Sequence, residues 1–191
     1  MKAVLLDGSR GGDVDTGRVR DLVKAELAGL GWCVEPFTLH TLDIRHCLGC
    51  FGCWVQSPGE CIIDDAAGDV NRAIISSDLL IFLTPLTFGG YSSELKKALD
   101  RCIGLISPWF TTIGGEIHHK RRYPRFPRLV GVAVDSQPDS ESERIFCTLV
   151  GRNAINMHAP AHAAGVVDSS QNVDALRERL LALFEKVGVK A

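Results

Sequence analysis

Four of the chain's seven cysteines fall within the run Cys47-Leu-Gly-Cys50-Phe-Gly-Cys53-Trp-Val-Gln-Ser-Pro-Gly-Glu-Cys61, three of them at every third position. A short loop has no core in which to bury four thiols, so their use is to be sought in chemistry. Three thiolates at C-x-x-C-x-x-C can wrap one iron–sulfur cube, with a fourth arriving from further along. There is no second cysteine set to hold a second cluster. Cys47, Cys50, Cys53 and Cys61 would therefore close one [4Fe-4S] centre. Two other readings stand beside this one. Zinc ordinarily draws on two separated C-x-x-C knuckles, which a single compact triplet fits less well. A thiol-rich loop without metal is the third.

A second segment, Gly8-Ser9-Arg10-Gly11-Gly12-Asp13-Val14-Asp15-Thr16, leads from a strand into a helix. Hydroxyls, an arginine and free backbone amides at a helix N-terminus suit a phosphate. The segment has neither the lysine of a Walker A loop nor the glycine spacing of G-x-G-x-x-G. A third segment, Thr84-Pro85-Leu86-Thr87-Phe88-Gly89-Gly90-Tyr91-Ser92-Ser93, follows an apolar strand. Pro85 stiffens it, Phe88 offers an apolar face, and Gly89 and Gly90 let backbone amides approach a flat ligand closely.

The elements that must hold these segments alternate between short aliphatic runs and longer amphipathic stretches, the mark of βαβ units and a parallel sheet. Strands are expected at Lys2–Leu6, Trp32–Leu39, Leu79–Leu83, Leu129–Val134 and within 158–167. Helices are expected at Thr16–Leu30, from Asp64 or Asp65 to Ser77, and at Ser92–Ile106, Ser140–Asn153 and Val173–Val187. Asp15 or Thr16 is the expected cap of the first helix. This gives an α/β fold, a doubly wound five-stranded parallel sheet in one domain over 1–191. The cysteine-rich loop spans 46–63. An insertion at 107–127, with Trp109, Phe110 and a basic cluster from Lys120 onward, reads as a lid, a subunit contact or a solvated loop. In such a sheet ligands bind beyond the carboxyl ends of the strands, where the second and third segments lie.

The third segment, continued by Glu94-Leu95-Lys96-Lys97-Ala98-Leu99-Asp100-Arg101, resembles the flavin-ring loop of the NADPH-dependent FMN reductases of the flavodoxin-like superfamily. Ser9-Arg10 with Thr16 is similar to that family's phosphate loop. The cysteine run followed by Asp64-Asp65 resembles the iron–sulfur flavoproteins of the same group. The three motifs occupy roughly the first half of the chain in the family's order. The resemblance implies sheet order 2-1-3-4-5, FMN as cofactor and NAD(P)H as co-substrate. It also implies FMN contacts from Ser9, Arg10, Gly11, Asp15, Thr16, Pro85, Leu86, Thr87, Phe88, Gly89 and Ser136. A homodimer or homotetramer is implied as well, with any cluster facing a flavin across an oligomer contact. The chain departs from the family pattern at Leu86-Thr87, where many relatives carry an aromatic residue. It departs again at Asp135-Ser136-Gln137-Pro138-Asp139, where a glycine-rich loop is usual.

Hydride transfer from a nicotinamide asks mainly for stacking space and orientation, so no side chain is singled out as catalytic. A net charge of -2 gives no reason to expect nucleic acid or an anionic membrane as partner. An odd cysteine count without a secretion signal points to a reducing compartment, the cytoplasm. The expected function is an FMN-dependent NAD(P)H oxidoreductase reducing free flavin, a quinone or a similar acceptor. The alternatives are an iron–sulfur flavoprotein passing single electrons to a protein partner, and a redox or metal sensor without enzymatic activity.

Overall fold

The structure is a computed structural model that describes residues 1–190. In chain order the elements are β1 (Lys2–Asp7), α1 (Val14–Gly29), β2 (Cys33–Thr38), α2 (Gly52–Val55), α3 (Ala67–Ile75), β3 (Leu79–Pro85), α4 (Ser93–Asp100), β4 (Ile106–Ile113), β5 (Glu116–Arg121), β6 (Arg128–Asp135), α5 (Ser140–Asn156), β7 (His162–Asp168) and α6 (Val173–Lys186). The main sheet runs β2-β1-β3-β6-β7, every neighbouring pair parallel. With the hairpin strands β4 and β5 set aside, that is the expected 2-1-3-4-5 order of a flavodoxin-like sheet.

Period-two alternation decides which helices cover which face. In β3, Leu80 and Phe82 join Val4 and Leu6 against Val70, Ile74, Leu95, Phe146 and Val150. Leu79, Ile81 and Leu83 point the other way, with Ala3 and Leu5, against Val19, Val23, Leu27, Leu180 and Phe184. Residues Leu79–Leu83 are therefore buried on both faces, which is why this strand reads as an unbroken apolar run. Gly131 lets α5 lie close on β6, since a Cβ there would sit 2.5 Å from Val150 Cγ2.

Local chemistry sets the helix ends differently from the sequence expectation at three places. Asp13 caps α1, accepting from the Thr16 amide at 2.9 Å, so neither Asp15 nor Thr16 is the cap. No side chain caps α3, whose N-cap residue is Ala66. Asp65 instead spends its carboxylate on a buried ion pair. The helix expected to reach Ile106 ends at Asp100, and a 3₁₀ stretch, Arg101–Leu105, carries the chain onward.

The insertion at 107–127 is largely a β-hairpin. Strands β4 and β5 pair antiparallel and turn at Gly114-Gly115, both at positive φ, as a two-residue hairpin turn requires. His118 is buried against Asn156 of α5 (Nδ1 to Oδ1, 2.9 Å), and Glu116 accepts from Arg152 at 2.6 Å. At the hairpin's base the Trp54 indole donates to the carbonyls of Ile103 and Ile106, and Arg122 Nε donates to Gly104 at 2.8 Å. The hairpin is thus fastened both to α5 and to the cysteine loop. No helix among the described residues is long and apolar enough to cross a membrane.

Candidate active site

The carboxyl ends of β1 and β3 meet at the centre of the sheet, and the two loops that leave them are bonded together. Gly8 donates to the Leu83 carbonyl at 2.8 Å, and Ser92 Oγ donates to the Gly8 carbonyl at 2.6 Å. Ser92 Oγ also caps α4 by accepting from the Leu95 amide at 3.2 Å, while Thr84 Oγ1 accepts from the Ser92 amide at 2.9 Å. Arg10 reaches across to Ser93 Oγ at 3.2 Å.

On the β1 side, Ser9 is buried, its amide bonded to Asp7 and its carbonyl accepting from His40 Nδ1. Arg10, Gly11 and Gly12 are exposed, and their amides find no protein acceptor among the described residues. A Cβ on Gly12 would meet nothing within 4 Å, and one on Gly11 only the His40 ring at 3.9 Å. Open space, free amides, a guanidinium and the start of α1 form a cradle that fits a phosphate in size and charge. Thr16 is buried below it, its hydroxyl donating to Asp13 at 2.7 Å. Asp15 turns away and accepts from Ser169 Oγ at 3.1 Å, which leaves its backbone amide, not its carboxylate, for the cradle.

On the β3 side, Leu86 extends the ladder by donating to the Val134 carbonyl, and Thr87 and Gly90 exchange two backbone bonds around a tight turn. Phe88 and Gly89 occupy the turn's corners at φ 49° and 70°. The glycine suits its corner, but the phenylalanine carries the strain that a left-handed residue pays. Its ring is fully exposed at 103%. A large apolar ring held outward in a strained conformation, next to the phosphate cradle, has nothing of its own chain to bury against. Ser136 is exposed at the end of β6, whose Val134 carbonyl holds Leu86. The structure therefore gathers Ser9, Arg10, Gly11, Thr16 and Pro85–Gly89 at one edge, with Ser136 on the neighbouring strand.

The four cysteines of the loop share one cavity wall. Cys47, Cys50, Cys53 and Cys61 line one small cavity with Arg101, Asn71, Ile63, Ile103 and Gly104. All four are free thiols; Cys53 is buried and the others exposed. Burial pushes the Cys53 thiol up, and the nearness of Cys61, Cys47 and Cys50 adds to the shift. As the loop stands, the cavity measures about 30 Å³, and among the described residues no three His, Cys, Asp or Glu side chains are grouped to hold a metal ion. The donor set nevertheless fits an iron–sulfur centre in number and chemistry, four thiols with a buried cation on the wall. Gly49, Phe51 and Gly59 turn the loop at positive φ. Gly104 lets Cys53 approach the 3₁₀ stretch, its Cβ position lying 3.4 Å from Cys53 Cβ.

The cysteines outside the loop differ from one another. Cys102 is a packing residue, its thiol pushed up to about 12 by burial. Cys147 is half-buried, and Cys33 is exposed. His158 lies just past α5 at φ 52°, bonded to the His119 carbonyl, and not in a strand. His119 packs between Trp54 and Phe110.

The two loops thus meet at the switch point of a doubly wound parallel sheet. The model of the NADPH-dependent FMN reductase family matches residues 1–115, and the chain belongs to that family. An iron-sulfur flavoprotein of Archaeoglobus fulgidus is 28% identical over 103 residues, 54% of this chain and 46% of that protein. An iron-sulfur flavoprotein of Methanocaldococcus jannaschii is 30% identical over 102 residues, 53% of this chain and 51% of that protein. The chain spans about half the length of these curated relatives. Among solved structures, an NAD(P)H:quinone oxidoreductase from Methanothermobacter marburgensis superposes with a TM-score of 0.66 at 15% identity, covering 95% of this chain and 94% of that one. An FMN-dependent NADH-azoreductase from Bacillus anthracis, in complex with FMN, gives 0.64 at 10% identity over 98% and 99%. At such identities these likenesses establish the fold.

Sequence reasoning passed over Gly8, Ser92 and Asp13, which tie and cap the site, and the Asp65–Arg101 pair. A Ser-x-x-Leu at a helix start marks Ser92 as a cap, but nothing local marks its bond to Gly8, 84 residues away.

Proposed function

We propose that the chain binds FMN and acts as an NAD(P)H-dependent oxidoreductase on free flavin, a quinone or a similar acceptor. The observation that carries this is the bonded pair of loops at the β1/β3 switch point, with an open amide cradle on one side and the exposed Phe88 turn on the other. Ser9, Arg10, Gly11, the Asp15 amide and Thr16 hold the phosphate. Pro85, Leu86, Thr87, Phe88, Gly89 and Ser136 border the ring. Bound FMN would supply two-electron hydride chemistry. This chain's own residues would bind and orient the ring, and the Phe88 and Gly89 amides, the two in the turn not spent on the Thr87–Gly90 bonds, would offer it hydrogen-bond donors where reduction adds charge. Phe88, unburied in one chain, favours a partner copy closing the site as a homodimer or homotetramer. Seven free cysteines suit a reducing compartment such as the cytoplasm.

The four-thiol cavity favours a second reading. If Cys47, Cys50, Cys53 and Cys61 hold a [4Fe-4S] cluster, the chain passes single electrons to a protein partner, as an iron–sulfur flavoprotein. The deciding experiment is anaerobic purification with flavin, iron and sulfide assayed on one sample, followed by turnover with NADPH and with NADH. Bound FMN with nicotinamide oxidation supports the first reading. FMN with about four irons per chain and little nicotinamide oxidation supports the second. No retained flavin after incubation with excess FMN would remove both.

A further inference from the structure

Arg101 is the one cation on the wall of the four-cysteine cavity. Its side chain is 1% exposed, and everything around it fixes its position. Nη1 donates to Asp65 Oδ2 and to the Arg45 carbonyl, both at 2.7 Å. Nη2 donates to Asp65 Oδ1 at 3.0 Å and to the Ile63 carbonyl at 3.1 Å. Asp65 is itself fully buried and is held by the amides of Arg45 and Ala67. The two ends of the cysteine loop, Arg45 before Cys47 and Ile63 after Cys61, are thereby clamped on one guanidinium. One donor is left over. Arg101 Nε is buried and has no hydrogen-bond partner. A buried N–H without an acceptor is costly, and folded proteins keep few of them.

We infer that Arg101 is the positioning residue of the four-cysteine centre: it holds both ends of the loop and keeps Nε–H and a fixed positive charge for the cysteine sulfurs. Three considerations support this. The wall of the cavity offers four thiols as the natural acceptors, and no carboxylate. A centre made of four thiolates is anionic, and a buried cation beside it offsets that charge where water cannot. The fork of an arginine can hold Asp65 with both Nη atoms while Nε stays free, an arrangement a lysine cannot reproduce. Asp65 then has a structural task, to lock the guanidinium plane, while also accepting from the Ala67 amide at the start of α3.

This inference rests on the reading that the four cysteines hold an iron–sulfur cluster. Hydrogen bonds and positive charge at the sulfurs stabilise the more negative, reduced form and raise the reduction potential. The test is a potentiometric titration of the cluster band, with iron, sulfide and flavin contents, on wild-type protein, Arg101→Lys and Arg101→Gln after anaerobic reconstitution. Arg101→Gln is expected to bind iron yet titrate at a more negative potential than wild type. Arg101→Lys, which keeps the charge but lacks Nε–H, is expected to fall between the two. If Arg101→Gln does not fold, Arg101→Lys against wild type still decides. Loaded variants titrating at the wild-type potential would overturn the inference while leaving the cluster reading intact. Loss of iron from both variants with flavin retained would support the clamp, since the loop ends would no longer hold the four sulfurs together. Wild-type protein that takes up no iron would overturn the cluster reading, and the inference with it.

Discussion

Ser92 Oγ donates a 2.6 Å hydrogen bond to the carbonyl of Gly8, joining the loop after β3 to the loop after β1 at the point where the sheet reverses its winding. Three constraints meet there. Gly8 has no room for a side chain, because a Cβ would lie 2.7 Å from Leu95 Cβ and 2.8 Å from Ser92 Oγ. Ser92 also caps α4, and its amide is held by Thr84. The spacing of the two loops is thus fixed by Gly8, Thr84 and Ser92 together.

Ser92→Ala removes the cap and the tie together, and is expected to lower stability by about 1–2 kcal/mol. Gly8→Ala overpacks the same junction, at about 1–3 kcal/mol. Urea denaturation measures both. FMN affinity should fall in both variants; unchanged affinity would mean that the two loops do not share a ligand.

Phe88 contributes its ring to no internal contact, so Phe88→Ala should leave stability within about 0.5 kcal/mol of wild type. Phe88→Gly relieves the left-handed backbone and should stabilise by up to about 1 kcal/mol, part of the gain being lost to glycine's extra unfolded freedom. Both variants should bind FMN more weakly, as read by flavin fluorescence. Tight FMN binding in Phe88→Ala would place the ring elsewhere.

Ser9→Ala and Thr16→Ala test the cradle. Each is expected to raise the FMN dissociation constant about tenfold, the size of one hydrogen bond to a charged group. Thr16→Ala should also cost stability, because its hydroxyl is bonded to the capping residue Asp13. Riboflavin, which lacks the phosphate, should bind the variants and wild type alike.

Burial works against the Asp65 carboxylate, but hydrogen bonds from Arg101, Arg45 and Ala67 outweigh it and hold its pKa below the ordinary value. Because the folded value is depressed, the stabilisation is complete above the ordinary carboxylate value. It is lost as the pH falls through the lower folded value. Asp65→Asn leaves a buried guanidinium without its anion, at a cost of about 3–5 kcal/mol near neutral pH. Denaturation midpoints from pH 6 to pH 2 should converge for wild type and variant at the acid end. Parallel curves would show that the pair carries no pH-dependent stability.

Glu116 joins the hairpin to α5, and hydrogen bonds from Arg152 first, then His118, hold its carboxyl down to about 2. The depressed value means that the latch is complete above the usual glutamate range and fails only as the pH approaches 2. Amide protection in β5, taken relative to the intrinsic exchange rate at each pH, should be unchanged between pH 5 and pH 3 in wild type and lower throughout in Glu116→Gln. Loss of protection in wild type already at pH 4 would show that the carboxylate titrates normally.

The alternation of short apolar runs such as Leu79–Leu83 with amphipathic stretches pointed to a parallel α/β sheet, and the resemblance implied its strand order. The cysteine spacing and the two loops after β1 and β3 marked the candidate sites, since a redox centre and a phosphate demand particular atoms at particular short intervals. Contacts between residues far apart in sequence were not legible. Asp65 reads locally as a helix cap, and only the fold shows that Arg101, 36 residues on, takes its carboxylate. The segment at 107–127 has no strict alternation, so its hairpin is decided by Gly114-Gly115 together with docking on α5 and Trp54. Spacing fixes which groups are available along the chain. Only packing brings Ser92 to Gly8 and Arg101 to four cysteines, because those distances are set by the stacking of helices on a twisted sheet.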